Sequence, residues 1–502
     1  MSEEQGTKEQ TENKKTDLFQ GATTQHSMNL NGTSITYTAS ADWMELRKED
    51  KPVARMFHIA YCKDDEETSK RPVTFIFNGG PGAASAYLHV GALGPLRAAF
   101  SPDGDPLPPP VQLVENSESW LEFTDLVFVD PIGTGFSRLI EEEGKDSKET
   151  KSGASFQEFW EVKRDLESFG QLIQGFLSKH KRWTSPVFIA GESYGGFRVA
   201  KLVRMLQEGF GIGLNGALLI SPAIELSTLV GTDYDVLHWC DSFPSMAASA
   251  YFHKKAKATL LELELVEFLE KAEVFVREKM LPMLLLGEAM PVEQREAIYE
   301  EMSSWMGLPA SVIAEQKGRI NIDKFRRSLL KEDGWVCGLH DATLTGMNPF
   351  KNRDTFEGPD PALFATERVF TSGINAMLRE KLDVNPSLDY LLLNMKANLT
   401  WDDKTRKHFV QQTVGAMDEL RYGMALNPHM KVMITHGYQD LVTPYFSSAR
   451  LAGHMSLPPQ LEKNLSLLNY HGGHMYYVWE ESRKAFFNDA KEFFAEAVPQ
   501  RD

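Results

Sequence analysis

VFIAGESYGGF, residues 187–197, sets Gly191, Glu192, Ser193, Tyr194 and Gly195 as a G-x-S-x-G between the apolar run 187–190 and a helical pattern over 197–206. With Gly and Ser each near ~7% of residues, a chain of this length carries those five letters by accident roughly once in six cases. The context is more selective than the letters. A strand that turns sharply into a helix holds the serine oxygen clear of the backbone and aims the N–H groups of the next helical turn at whatever binds. Ser193 is therefore a candidate nucleophile, with an ordinary tight turn as the alternative.

Outward from this corner, the segments 73–77, 126–129 and 217–220 are also short and continuously apolar, as parallel strands covered on both faces should be. Between two of them, Phe159, Trp160, Val162, Leu166, Phe169, Leu172, Ile173 and Phe176 recur at helical spacing and predict a helix over 156–177. Strand–helix–strand repeats imply a parallel sheet with right-handed crossovers. Residues 30–61 alternate apolar and polar around Asn31-Gly32 and predict an antiparallel meander at one sheet edge. After Pro222 the pattern turns helical, with helices expected over 254–277, 292–305 and 323–330. Sheet signals return at 432–435 and 465–470, before a closing helix over 481–495. The fold class is thus α/β, a mostly parallel sheet with helices on both faces. The expected organisation is a disordered segment 1–28, a core of 29–224 and 428–498, and a helical cap inserted at 225–427 that roofs the site. The charged stretch 141–151 reads as a solvated loop.

The chain has 502 residues, enough for a large core plus an insertion. Its three cysteines, Cys62, Cys240 and Cys337, are too few and scattered for a disulfide framework or a Cys-rich metal site. Residues 1–20 carry no apolar signal region and no stretch reaches the length of a membrane span, which predicts a cytoplasmic protein without membrane contact. Asn31, Asn398 and Asn464 stand in N-x-S/T triplets that read as accidents of composition. The formal charge of −17 repels phosphate backbones and anionic lipid, so nucleic acid is not an expected partner.

A serine hydroxyl needs a base to take its proton, and the base needs an acid to fix its tautomer. Asp440 closes the stretch HGYQD just beyond the strand at 432, and His474 lies in GGHM just beyond the strand at 465. Both follow the serine–acid–histidine order of an α/β-hydrolase. The alternatives are a turn-forming aspartate and a structural loop histidine. His471 and His474 are spaced like weak metal ligands, but no HExxH or carboxylate cluster accompanies them, so no metal or other cofactor is expected. Acyl transfer also needs pre-aimed donors for a tetrahedral oxyanion. Asn78-Gly79-Gly80-Pro81-Gly82 ends a strand with glycines that let backbone amides approach a ligand, and the Gly80 N–H can act with that of Tyr194. A plain glycine turn is the alternative reading of that loop.

Together these pieces resemble the serine carboxypeptidase family of the α/β-hydrolase fold. The resemblance is carried by residues 75–138 (NGGPGAASAYLHVGALGP, then DPIGTGFS), 187–221 (GESYGG) and 436–480 (HGYQD, GGHM), and it looks closer to bacterial members. It implies Ser193 as nucleophile, His474 as base, Asp440 as its orienter, and the Gly80 and Tyr194 amides as oxyanion donors. It also implies that Asn78, Gly79 and Glu192 contact substrate, Asn78 and Glu192 by holding the terminal carboxylate, and that Met475 lines the leaving-group pocket. Two departures stand out. Ala92 occupies the position of the family's second carboxylate-binding glutamate, and Ala83 that of a disulfide cysteine in secreted relatives. The expected function is a serine-type carboxypeptidase acting on peptides through an acyl-enzyme. An esterase, amidase or acyltransferase on the same scaffold is the first alternative, and a non-catalytic binding protein the second.

Overall fold

The apolar runs of the sequence become the middle of one sheet. In the computed structural model, which describes residues 19–140, 155–350, 352, 353, 356, 358–402 and 415–498, ten strands join in it. Nine are β1 (Ala22–Leu30), β2 (Thr33–Lys48), β3 (Lys51–Lys63), β4 (Val73–Phe77), β5 (Asp125–Val129), β6 (Val187–Glu192), β7 (Gly216–Ile220), β8 (Lys431–Gly437) and β9 (Leu465–Tyr470). The short Arg138–Leu139 strand adds to β3. Their order across the sheet is β1-β2-β3-β5-β4-β6-β7-β8-β9. The pairs from β1 to β5 are antiparallel, and every pair from β5 to β9 is parallel.

Alternation along the inner strands explains why they read as unbroken apolar runs. Phe75 and Phe77 of β4 face the helices α1 (Val162–Lys179) and α2 (Tyr194–Phe210), and Phe77 meets Phe169 at 4.5 Å between ring centroids. Ile76 faces the opposite core, where Phe188 of β6 stacks on Phe494 of the closing helix α3 (Glu480–Ala497) at 4.1 Å. Each fully buried Phe contributes about 1.5–3 kcal/mol of transfer free energy, so both faces are core. This is the α/β-hydrolase architecture.

The chain leaves β4 for β5 on one side, then returns past β4 to β6 on the other. That reversal makes the crevice between the carboxyl ends of β4 and β6 the topological switch point, where open α/β sheets bind ligands. Phe77 pairs in register with Gly191, so the loop starting at Asn78 and the turn at Ser193 emerge side by side.

Four expectations are corrected. Residues 22–28, read as disordered, belong to β1, whose register pairs Ala22 with Ala41 and whose Met28 and Leu30 are buried. An edge strand keeps one face polar, and that polarity hid it. The helix over 156–177 is broken at Trp160–Glu161, where the Glu161 carboxylate accepts from Arg164 N (2.8 Å) and caps α1. Within 254–277 the helix begins only at Leu265, while the helix Leu237–Phe252 was not anticipated. It carries Pro244 and is buried around most of its circumference, so it has no single apolar stripe. Finally, Met417–Leu426 falls inside the expected cap but packs on α2, where a Cβ on Gly423 would meet Val203 at 2.8 Å. The helices Leu237–Phe252, Leu265–Phe275 and Val292–Met306 pack around Phe243, Phe268 and Trp305 in a further core that also takes in Leu441, Tyr445 and Phe446. Residues 1–18 and the charged stretch 141–151 lie outside the described residues.

Candidate active site

Ser193 sits between β6 and α2 with φ 61° and ψ −123°. A non-glycine residue held there stores roughly 1–3 kcal/mol, so the surroundings must over-determine it. They do so by hydrogen bonds and sterics. Ser193 N donates to Ile220 O (2.9 Å), while Ser193 O accepts from Gly196 N (2.9 Å) and Ala223 N (3.1 Å). A Cβ at 191 would lie 2.3 Å from Gly195 O, at 195 it would lie 2.7 Å from Phe77 O, and at 196 it would lie 2.4 Å from Pro222 Cβ. The three glycines of GESYGG are what lets helix, strand and loop meet at one corner.

The Gly-rich loop lies against that corner. A Cβ on Gly79 would stand 2.4 Å from Tyr194 N and 2.7 Å from Gly195 N, so only glycine lets the loop approach those amides. Gly80 follows with φ +94°, a conformation favouring glycine. The loop is gripped from outside by residues 392–398: Ala84 N donates to Leu392 O (2.9 Å), Asn394 N to Gly82 O (2.8 Å) and Asn398 Nδ2 to Pro81 O (3.1 Å). From inside, the buried Arg198 of α2 donates to Asn78 O (2.7 Å) while its Nε pairs with Asp165 (2.6 Å). Because the obstacles around Gly79 are backbone atoms, Gly79→Ala is expected to cost about 2–3 kcal/mol of stability, read by thermal melting, and to lower activity further in the folded fraction.

The acid and the histidine leave neighbouring strands, β8 and β9. Asp440 is fully buried; its Oδ1 accepts from Val442 N (2.8 Å) and Thr443 N (3.0 Å), and its Oδ2 from Thr443 Oγ1 (2.7 Å) and His474 Nδ1 (2.7 Å). Burial alone would raise its pKa, but His474 and these donors outweigh burial and hold the carboxyl below its ordinary range. For His474 burial works downward, yet the Asp440 charge and hydrogen bond, with the Glu192 charge, raise the imidazole above its ordinary value. Asp440 therefore fixes the proton on Nδ1 and leaves Nε2 as the ring's basic nitrogen. The backbone of His474 is pinned on both sides, its N donating to His340 O (2.5 Å) and its O accepting from Ser221 Oγ (2.8 Å). His471, spaced like a metal ligand with it, stacks on Trp479 instead.

Ser193 and His474 line one cavity of about 250 Å³, together with Asn78, Gly79, Gly80, Glu192 and Met475. Asp440 stands behind His474, and the Tyr194 amide opens α2 beside the loop. Glu192 is buried, and that burial pushes its carboxyl up to about 7, against the opposing effects of His474, Tyr477 and Asn78. Asn78 turns its Oδ1 to Leu88 N (3.1 Å) and its amide toward Glu192. Ala92 is buried in the turn His89–Leu93, its carbonyl accepting from Asn116.

Four residues escaped the sequence reading. Thr443 fixes Asp440; the D-x-x-T spacing of a side-chain-capped turn was a usable signal. Arg198, Tyr477 and His340 carried no local signal, since their partners lie far away in the chain. His340, with Nδ1 on Asp360 (2.9 Å), brings a second imidazole to the cavity wall from the inserted segment. The N-x-S/T asparagines at 398 and 464 have structural partners, Pro81 O and Pro428 O.

A family model described as serine carboxypeptidase matches residues 33–484. Serine carboxypeptidase-like 13 of Arabidopsis thaliana is 29% identical over 168 residues, 33% of this chain and 35% of that protein. Serine carboxypeptidase S10 family member 1 of Dictyostelium discoideum is 31% identical over 190 residues, 35% of this chain and 39% of that protein. These alignments span little more than a third of the relatives' length. Among solved structures, a proline iminopeptidase of Mycobacterium smegmatis aligns over 91% of this chain and 99% of its own, at 11% identity and a TM-score of 0.37. Since the family match runs from the second strand into the last helix, this chain belongs to the serine carboxypeptidase family, peptidase S10.

Proposed function

We propose that this member of a peptidase family is a serine-type carboxypeptidase that releases C-terminal residues from peptides through an acyl-enzyme. The observation that carries the reading is the shared cavity: Ser193, a His474 whose tautomer Asp440 fixes, and a buried Glu192 all face it. In this reading His474 Nε2 takes the Ser193 proton as Oγ attacks the scissile carbonyl, and the Gly80 and Tyr194 amides receive the oxyanion. His474 then gives the proton to the leaving amine, and water repeats the sequence to free the acyl group. Glu192 and Asn78 receive the terminal carboxylate, and Met475 lines the pocket of the departing residue. A protonated Glu192 shares its hydrogen with that carboxylate without net repulsion, a contact of about 1.5–3 kcal/mol, roughly tenfold to a hundredfold in selectivity.

The decisive comparison is a blocked dipeptide against its C-terminal amide, with Ser193→Ala as blank. The free acid is expected to be cleaved at least tenfold faster; equal rates would overturn the carboxypeptidase reading. Equal rates would favour an esterase, amidase or acyltransferase, which Ala92 in place of a second acid supports.

The same groups set a pH signature. Ester cleavage needs neutral His474, so it rises with pH through the raised imidazole pKa and then levels off. Free-acid cleavage also needs protonated Glu192, so it declines again above about 7. Because the two groups stabilise each other's charged forms, the midpoints belong to the pair. Identical profiles for a peptide and its ester would remove Glu192 from carboxylate recognition. The proposal includes a reducing, cytoplasmic setting, supported by Cys62, Cys240 and Cys337 all standing as free thiols.

A further inference from the structure

Glu192 has a partner that the family resemblance did not supply. The hydroxyl of Tyr477 donates to Glu192 Oε2, joining positions 285 apart in the chain, and both side chains are buried. Tyr477 comes from the short turn Tyr476–Val478 that directly follows the His474–Met475 loop. Its ring is held against Gly91 in the turn His89–Leu93, since Tyr477 Cε2 lies 3.0 Å from where a Cβ of that residue would stand, with Phe370 beside it. The ring therefore packs beside Gly91, the chain neighbour of Ala92, and its hydroxyl reaches Glu192.

Resting on the carboxypeptidase reading of Glu192, we propose that Tyr477 is the positioning residue of carboxylate recognition: it occupies Oε2, so that the proton of a neutral Glu192 sits on Oε1, available to an incoming carboxylate. A phenol serves this role better than a second carboxylic acid would at neutral pH. It donates without titrating, because burial and the Glu192 charge raise its own pKa well above the ordinary tyrosine value. The other groups acting on Glu192 are His474 and Asn78, which favour its ionised form, and Asp440, which opposes it. Tyr87 and Tyr476 feel the same charge from the cavity wall and from β8's end of the site. Among these, Tyr477 is the one that donates a phenolic hydrogen to Oε2.

Tyr477→Phe keeps the ring and removes the donor, so the Glu192 midpoint is expected to rise by about one pH unit. Two readouts test this on the full chain. The first is the carboxyl stretch of Glu192 titrated by infrared difference spectroscopy, with Glu192→Gln as the subtraction blank. The second is the alkaline limb of free-acid peptide cleavage, which should move up with the spectroscopic midpoint and by more than any change in the ester profile. A ring-fluorinated tyrosine incorporated in place of Tyr477, a stronger donor of nearly the same shape, should move the midpoint down. Opposite shifts from the two replacements support the proposal; a structural role alone does not produce a sign change. An unmoved midpoint in Tyr477→Phe, or shifts of the same sign, overturns it. If Tyr477→Phe fails to bind a fluorophosphonate at Ser193 and is misfolded, the fluorinated protein alone decides by its downward shift or the lack of one. A midpoint that moves as expected while wild type cleaves acid and amide equally leaves the pair intact and removes only its carboxypeptidase assignment.

Discussion

Ser193→Ala should lower kcat by roughly 10⁴- to 10⁶-fold on free-acid and ester substrates alike, with KM changed far less. The reason is local. Alanine keeps the Cβ, so the strained corner at φ 61° and its three backbone hydrogen bonds survive, and only the oxygen that attacks is lost. Circular dichroism and melting temperature should therefore match wild type, while covalent labelling by a fluorophosphonate disappears. Residual turnover above the uncatalysed rate would reflect the loop amides and substrate binding. Near-wild-type activity in this variant would remove Ser193 from the chemistry, and with it the proposed mechanism.

Asp440→Asn is expected to be the second largest effect, about 10⁴-fold in kcat. The carboxylate now accepts from His474 Nδ1 and from Thr443 Oγ1 at the same oxygen. An amide group turned toward the ring presents N–H hydrogens, which places the imidazole proton on Nε2 and leaves no basic nitrogen toward Ser193. It also removes the charge that raises the His474 pKa, so the residual activity should begin at lower pH than in wild type. The loss should fall equally on ester and free-acid substrates. That separates it from substitutions at Glu192 or Tyr477, whose effects concentrate on substrates bearing a free carboxylate. Retention of more than a tenth of wild-type kcat would mean that Asp440 does not orient the base.

Much of this architecture was legible because it is written locally. The inner strands announce themselves by being apolar on both faces, and the nucleophile corner by glycines whose Cβ positions are sterically closed. Asp440 and His474, whose side chains the structure brings together, each lie a few residues beyond a recognisable strand. What escaped depends on distance along the chain or on averaged composition. β1 is a polar edge strand whose order comes from its ladder with β2. Helix Leu237–Phe252 is nearly enclosed, so its residues show no period. The Glu192–Tyr477 contact spans 285 positions, and neither residue signals the other. The same holds for Arg198, whose three interactions tie α1, α2 and the Gly-rich loop together without any motif.

The stretch 391–398 shows that the long excursion between β7 and β8 is two things of different kind. Its first half packs around Phe243, Phe268 and Trp305 and shares that core with Leu441, Tyr445 and Phe446 of the segment that follows Asp440. Its later part returns to lace Leu392, Asn394 and Asn398 onto the backbone of Gly82, Ala84 and Pro81. What the excursion adds to the cavity wall, His340, Leu363, Leu393, Met395 and Asn398, comes from this later part. Altering the lacing changes the cavity wall and the support of the Gly-rich loop together, because one short segment supplies both.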